Sequence, residues 1–213
     1  MKTVYSIEGN IGVGKSTLVE FIKNNFENVI IVPEPVDIWN TVVDRNGTNI
    51  IENYYYDPPK YAYCFQMMCY ITRLTLLKKC YQEAPDGAII ITERCLHTDR
   101  NIFAQMLYDT EILNDIEYTV YTKWFDTFIN EVPIHGIIYM DLTPEIAFER
   151  IMLRDRKGES EITMEYLYNL RKYHLKWIET TSIPSITIDA TNLQDKQTMT
   201  NSFNRLDLII RGN

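Results

Sequence analysis

The stretch "SIEGNIGVGKSTLVEF", Ser6–Phe21, decides the fold. Within it, residues 9–16 (GNIGVGKS) fit G-x-x-x-x-G-K-[ST], the loop that cradles nucleotide phosphates. An apolar strand pattern precedes the loop and an amphipathic helix pattern follows it, which is the context the motif needs and a chance glycine-rich turn lacks. Glycines let backbone N–H groups turn inward around phosphate oxygens, and the helix N-terminus adds its partial positive charge. Lys15 neutralises the β- and γ-phosphates, and the Ser16 hydroxyl can ligate Mg²⁺. Gly9, Asn10, Gly12, Gly14, Lys15, Ser16 and Thr17 are therefore the candidate donor-binding residues. The motif points to ATP or GTP and is silent on the acceptor.

Outward from the loop, five short runs rich in Val and Ile are bounded by turn or polar residues: Thr3–Gly9, Asn28–Glu34, Gly87–Glu93, His135–Asp141 and Pro184–Ala190. The middle ones are nearly continuous in apolar character, as expected of strands covered on both faces. Helical patterns separate them, at Ser16–Phe26, Pro59–Glu83, His97–Leu107, Asp115–Glu131, Pro144–Leu153 and Met164–Thr180. This alternation predicts an α/β fold of the phosphate-loop kinase type, a five-stranded parallel sheet with helices on both faces. The longest helix pattern carries large apolar or aromatic residues on most sides, so it should pack deeply and any polar residue on its inner face needs a partner.

Size and composition bound the function. The chain has 213 residues, enough for one domain with a sizeable core, and no linker or repeat divides residues 1–213. A formal net charge of −8 argues against wrapping a nucleic-acid polymer, which needs a basic surface. The N-terminus lacks a signal-peptide pattern and no apolar run approaches ~18 residues, so the expected location is cytoplasmic, with no membrane partner. Cys64, Cys69, Cys80 and Cys95 form no C-x-x-C pair and do not group with His97, His135 or His174, which predicts reduced thiols and no zinc site.

In open parallel sheets the ligand sits beyond the carboxyl ends of the strands. Two predicted strands end there in a carboxylate: Glu34 in "VIIVPEP" and Glu93, followed by Arg94, in "AIIITER". Phosphoryl transfer to a hydroxyl needs a group that deprotonates or orients the acceptor, together with metal and cations around the developing charge. Glu34 is a candidate base and Glu93 a candidate metal ligand beside Ser16. Arg94 either pairs with Glu34 as a structural salt bridge or holds the transferring phosphoryl. Further along, "FERIMLRDRKGESEIT" places Arg150 and Arg154 four apart on one helix face with Arg156 close by. They read either as a mobile cationic cover for a triphosphate, a lid at about residues 154–161, or as a solvated helix end balanced by Glu149 and Asp155.

The ordered set "GNIGVGKST", "PEPVDIW", "YYDPPKYAYCFQ", "ERCLHTDRNIF", "GIIYMDLTPEIAFERIMLRDR" and "EYLYNLRKYHLKW" resembles the deoxynucleoside kinases, from the phosphate loop to about Trp177. The resemblance implies an ATP- and Mg²⁺-dependent enzyme acting on the 5′-hydroxyl of a deoxynucleoside, with homodimerisation a family expectation. It implies that Glu34 is the base, that Arg94 supports it, and that Glu93 joins Ser16 around the metal. It further implies that Gln66 bonds the base edge, Phe65 and Phe103 sandwich the base, and Tyr55 and Glu159 hold the 3′-hydroxyl. Trp39, from "PEPVDIW", would line the acceptor side, and Arg150, Arg154 and Arg156 would form the lid. Cys95 stands where many members carry serine. Arg73 and Asp99 fall where the deoxycytidine and deoxyguanosine kinases carry an Arg–Asp pair, which implies deoxycytidine or purine deoxynucleosides in preference to thymidine. The alternatives are thymidine use, a nucleoside monophosphate as acceptor, or a catalytically silent structural member of the fold.

Overall fold

Parallel strands arise here because Val/Ile-rich runs alternate with amphipathic helices long enough to cross back over the sheet. The computed structural model describes residues 2–156 and 159–191. In chain order its elements are β1 (Thr3–Gly9), α1 (Lys15–Asn25), β2 (Val29–Val32), α2 (Val36–Thr41), α3 (Ile50–Tyr56), α4 (Pro58–Glu83) and β3 (Ile89–Glu93). There follow α5 (Leu96–Thr98), a π-helical stretch (Asp99–Ala104), α6 (Gln105–Asp109), α7 (Asp115–Phe128), β4 (Gly136–Asp141), α8 (Pro144–Arg154), α9 (Met164–Thr180) and β5 (Ser185–Asp189). The strand order is β2-β3-β1-β4-β5, all parallel.

Alternate residues of each strand feed opposite faces. Ile7, Ile91, Ile138, Met140 and Ile188 pack under α1 and α8 through Leu18, Ile22 and Ala147. On the other face Val4, Val32 and Ile90 meet Leu77 of α4, while Ile137 and Tyr139 meet α6 and α9 through Met106, Leu170 and Trp177. β1 lies between β3 and β4, so the loop that follows it opens onto the crevice at the middle of the sheet. A further helical cluster, with Tyr54, Phe65, Tyr70, Leu107 and Tyr121 at its centre, stands beside the sheet and forms the far wall of that crevice.

The strands and most helices fall where the sequence pattern puts them, with four differences. β2 stops at Val32, because Pro33 has no N–H to continue the ladder and the "PEP" segment turns away. The helix expected over 97–107 is α5, the π-helical stretch and α6 in succession, and the 115–131 pattern ends as α at Phe128 before a 3₁₀ turn at Ile129–Glu131. Helices α2 and α3 were not foreseen. α3 starts on a legible signal, N-x-x-E: the Asn49 side chain accepts from the Glu52 N–H at 2.9 Å and donates to Glu52 Oε1 at 2.7 Å.

Candidate active site

A cavity of about 560 Å³ runs from the phosphate loop to the wall formed by α3 and α4, within the range of small-ligand sites. At one end of the cavity the loop presses against α8. Gly12 adopts φ +79°, and a Cβ there would lie 2.5 Å from the Ala147 carbonyl oxygen, so only glycine fits. α1 begins on Gly14 without a side-chain cap, leaving its first N–H groups directed at the cavity mouth. Buried Lys15 donates from Nζ to the carbonyls of Asn10 at 2.8 Å and Gly9 at 3.3 Å. Burial, helped by the Arg94 cation, brings its ammonium down to about 7 in spite of Glu93, Glu34 and Glu8. The Asn10 side chain faces away from the cavity. Its amide donates to Leu167 O at 2.9 Å and its oxygen accepts from the Ile11 N–H at 2.8 Å, tying the loop to α9.

The ends of β2 and β3 supply the charged centre. Ser16 Oγ lies 3.1 and 3.3 Å from the two Glu93 carboxylate oxygens. Those are hard oxygen donors facing the loop, a set that suits Mg²⁺ held partly by phosphate and water. Among the described residues no group of three or more His, Cys, Asp or Glu is arranged to hold a metal alone. Arg94 takes the left-handed φ of +61°, uncommon for a non-glycine, while its N–H still bonds Ile7 O at 3.0 Å. That twist aims the guanidinium inward: Nη1 donates to Glu34 Oε1 at 2.7 Å and the group lies 5.2 Å over the Phe103 ring. Its Nε is buried without a partner among the described residues, a donor available to an anion. Burial alone would raise the Glu34 carboxyl, but Arg94, Arg73 and Lys15 outweigh it and hold it at about 2.

The end of the cavity away from the phosphate loop is built on one face of α4, where Phe65, Gln66, Cys69 and Arg73 follow helical spacing. Phe65 is wedged by Trp39 and Tyr54, with ring centroids 5.5 and 4.8 Å away. Gln66 is 2% exposed, lines the cavity, and has no side-chain hydrogen-bond partner among the described residues. Arg73 donates from Nε to Asp99 Oδ2 at 3.0 Å, and the π-helical stretch presents both Asp99 and Phe103 to the cavity. Tyr55 and Glu159 line the same space; burial first, then Tyr166 and Glu159, push the Tyr55 hydroxyl well up.

Every predicted site residue therefore borders one cavity, except Gly9 and Asn10. Arg150 borders it too, yet its guanidinium is spent on carbonyls of Val13, Ala190 and Thr191 at 3.0–3.2 Å, bracing the loop against the end of β5. Arg154 grips Glu159 with contacts of 2.6 and 2.7 Å and Arg156 reaches it at 3.4 Å. Within the predicted lid, residues 157 and 158 lie outside the described residues. Sequence reasoning missed Ile51 and Cys69 as lining residues, although Cys69 lies one turn beyond Phe65 and Gln66. It also missed Glu8, fully buried beneath the loop with Ser6 donating to Oε1, whose carboxyl burial pushes up.

A family model described as deoxynucleoside kinase matches residues 5–210. Human deoxycytidine kinase is 35% identical over 193 residues, covering 81% of this chain and 74% of its own length. A probable deoxycytidine kinase of fowlpox virus is 36% identical over 178 residues, covering 81% and 70%. The mitochondrial deoxyguanosine kinase of Xenopus laevis is 33% identical over 190 residues, covering 81% and 72%.

Proposed function

The chain belongs to the deoxynucleoside kinase family and is a phosphotransferase acting on a hydroxyl group with ATP as donor, and from that premise we propose the roles of its residues and its choice of base. Glu34 takes the proton of the 5′-hydroxyl. The 5′-oxygen bonds to the γ-phosphorus, the bond to the β–γ bridging oxygen breaks, and ADP leaves. The phosphate-loop amides, Lys15 and Arg94 offset the charge that develops on the transferring group, and Arg154, at the end of α8, and Arg156, just beyond it, close over that group. Mg²⁺ would be held by Ser16 and Glu93 and would neutralise the β- and γ-phosphates. The observation that carries this reading is the continuity of one cavity from Ser16 past Glu34 to the unbonded amide of Gln66.

On the acceptor side, Phe65 and Phe103 stack the base, Gln66 offers it one donor and one acceptor, and Tyr55 with Glu159 takes the 3′-hydroxyl. The buried Arg73–Asp99 pair lines the same cavity as Gln66 and would crowd a thymine methyl, which favours deoxycytidine and purine deoxynucleosides over thymidine. Initial rates with the four deoxynucleosides test this: deoxycytidine or the purines should lead, and efficient thymidine use with poor use of the other three overturns it.

We also assign a homodimer to the face formed by α4 and α7. What supports it is apolar exposure on two packed helices: Ile71 and Trp124 are each 44% exposed, and Tyr70 OH ties the pair by donating to Trp124 O at 3.0 Å. Among the described residues no helix is long and apolar enough to cross a membrane.

A further inference from the structure

Arg73 belongs to the base pocket by position, yet its bonds do not stop there. Its Nε donates to Asp99 Oδ2 at 3.0 Å, Nη1 to the Glu93 carbonyl at 2.9 Å, and Nη2 to Glu34 Oε1 at 3.4 Å. The side chain is buried and its guanidinium lies 5.8 Å over the Trp39 ring. A guanidinium is a rigid planar fork, so three simultaneous anchors fix its orientation. Both arginines that touch Glu34 do so through Oε1, Arg94 at 2.7 Å and Arg73 at 3.4 Å. Among the described residues no side chain donates to Oε2, so that oxygen carries no hydrogen bond of its own.

We propose that Arg73 is a positioning residue for Glu34: it fixes which carboxylate oxygen meets the 5′-hydroxyl and thereby ties base recognition to phosphoryl transfer. The inference rests on the assignment of Glu34 as the base. The charged and titratable groups around that carboxyl are Lys15 from the phosphate loop, Arg94 at the end of β3, Tyr55 from α3, Cys69 and Arg73 from α4, and Asp99 from the π-helical stretch. Removing Arg73 takes away one of three cations and one of the two anchors on Oε1. Proton affinity of Glu34 then rises, and its geometry is set by Arg94 alone.

The test is a double-mutant cycle of Arg73→Met with Glu34→Gln, read as kcat in single-turnover experiments at saturating deoxynucleoside. With Glu34 in place, Arg73→Met is expected to change kcat at least about fivefold; in the Glu34→Gln background the same substitution changes it less than about twofold. The acid limb of kcat in Arg73→Met is expected to lie at higher pH than in wild type. Arg73→Met leaves Asp99 buried and unpaired, so Arg73→Met/Asp99→Asn, which removes both charges, serves where the single variant does not fold. An equal factor in both backgrounds, or a change confined to KM and to the ranking of bases, overturns the proposal and leaves Arg73 a recognition residue. Wild-type turnover in Glu34→Gln alone overturns the base assignment itself, and the two failures are thereby told apart.

Discussion

Gly12→Ala offers a test of how tightly the phosphate loop is held against α8. Two separate effects oppose an alanine there. A left-handed φ of +79° costs a residue with a Cβ about 1–2 kcal/mol. The new methyl would also lie 2.5 Å from Ala147 O and 2.9 Å from Ile151 Cγ1. Because the nearer atom is backbone, the loop or the helix must shift, at about 1–3 kcal/mol for overpacking of this kind. Gly47 supplies the control: its φ is +82°, almost the same, and nothing stands within 4 Å of its Cβ position. The unfolded-state gain from replacing glycine is common to both, so the difference between the variants isolates the collision. For a chain of this size, about 1–3 kcal/mol corresponds to roughly 2–12 °C in Tm. Thermal and urea unfolding of Gly12→Ala and Gly47→Ala would read it, with Gly12→Ala also losing kcat/KM for ATP as the amide cradle is displaced. Equal destabilisation of the two variants would refute the close packing of loop on helix.

Three further outcomes follow from the same structure. His174 is buried with Nε2 unpartnered among the described residues, and burial holds its imidazole down to about 3. The unfolded chain therefore binds the extra proton below its ordinary value, and this one group makes stability fall by about 1.4 kcal/mol per pH unit from about pH 5.5 to 4; urea titrations should show that slope lost in His174→Gln, and parallel pH dependences would contradict it. Ser16→Ala removes one oxygen of the Ser16–Glu93 set, so the Mg²⁺ concentration for half-maximal rate should rise about tenfold; an unchanged Mg²⁺ titration would take Ser16 out of the metal shell. Trp124→Glu places a charge on the exposed face of α7, and sedimentation should show dimer giving way to monomer, whereas a wild-type monomer or an undisturbed dimer would remove that interface.

Much of the fold was legible because its cues are local. Val/Ile runs between amphipathic stretches give a parallel sheet from spacing alone, and Gly9–Ser16 carries its own strand and helix context. What stayed hidden depends on contacts between distant residues. The lattice of Arg73, Glu34 and Asp99 joins α4, the segment after β2 and the π-helical stretch, and sequence suggested only its Arg73–Asp99 half. Arg150 reads like another lid cation until the carbonyls of Val13, Ala190 and Thr191 are seen to occupy it. The π-helical stretch differs from an α-helix by under one residue per turn, too little for apolar periodicity to register over Asp99–Ala104. Cys69 and Ile51 line the cavity without being polar, so nothing in their chemistry marked them.

On the proposed reading Glu34, held by Arg94 and Arg73 just beyond β2, receives the proton of the 5′-hydroxyl. The most direct measurement is single-turnover phosphoryl transfer in Glu34→Gln beside equilibrium binding of the same deoxynucleoside. The amide keeps shape and hydrogen-bonding capacity but cannot accept the proton, so binding should stay within a few-fold of wild type while transfer falls by about 10²–10⁴. Transfer at the wild-type rate with binding intact would contradict it.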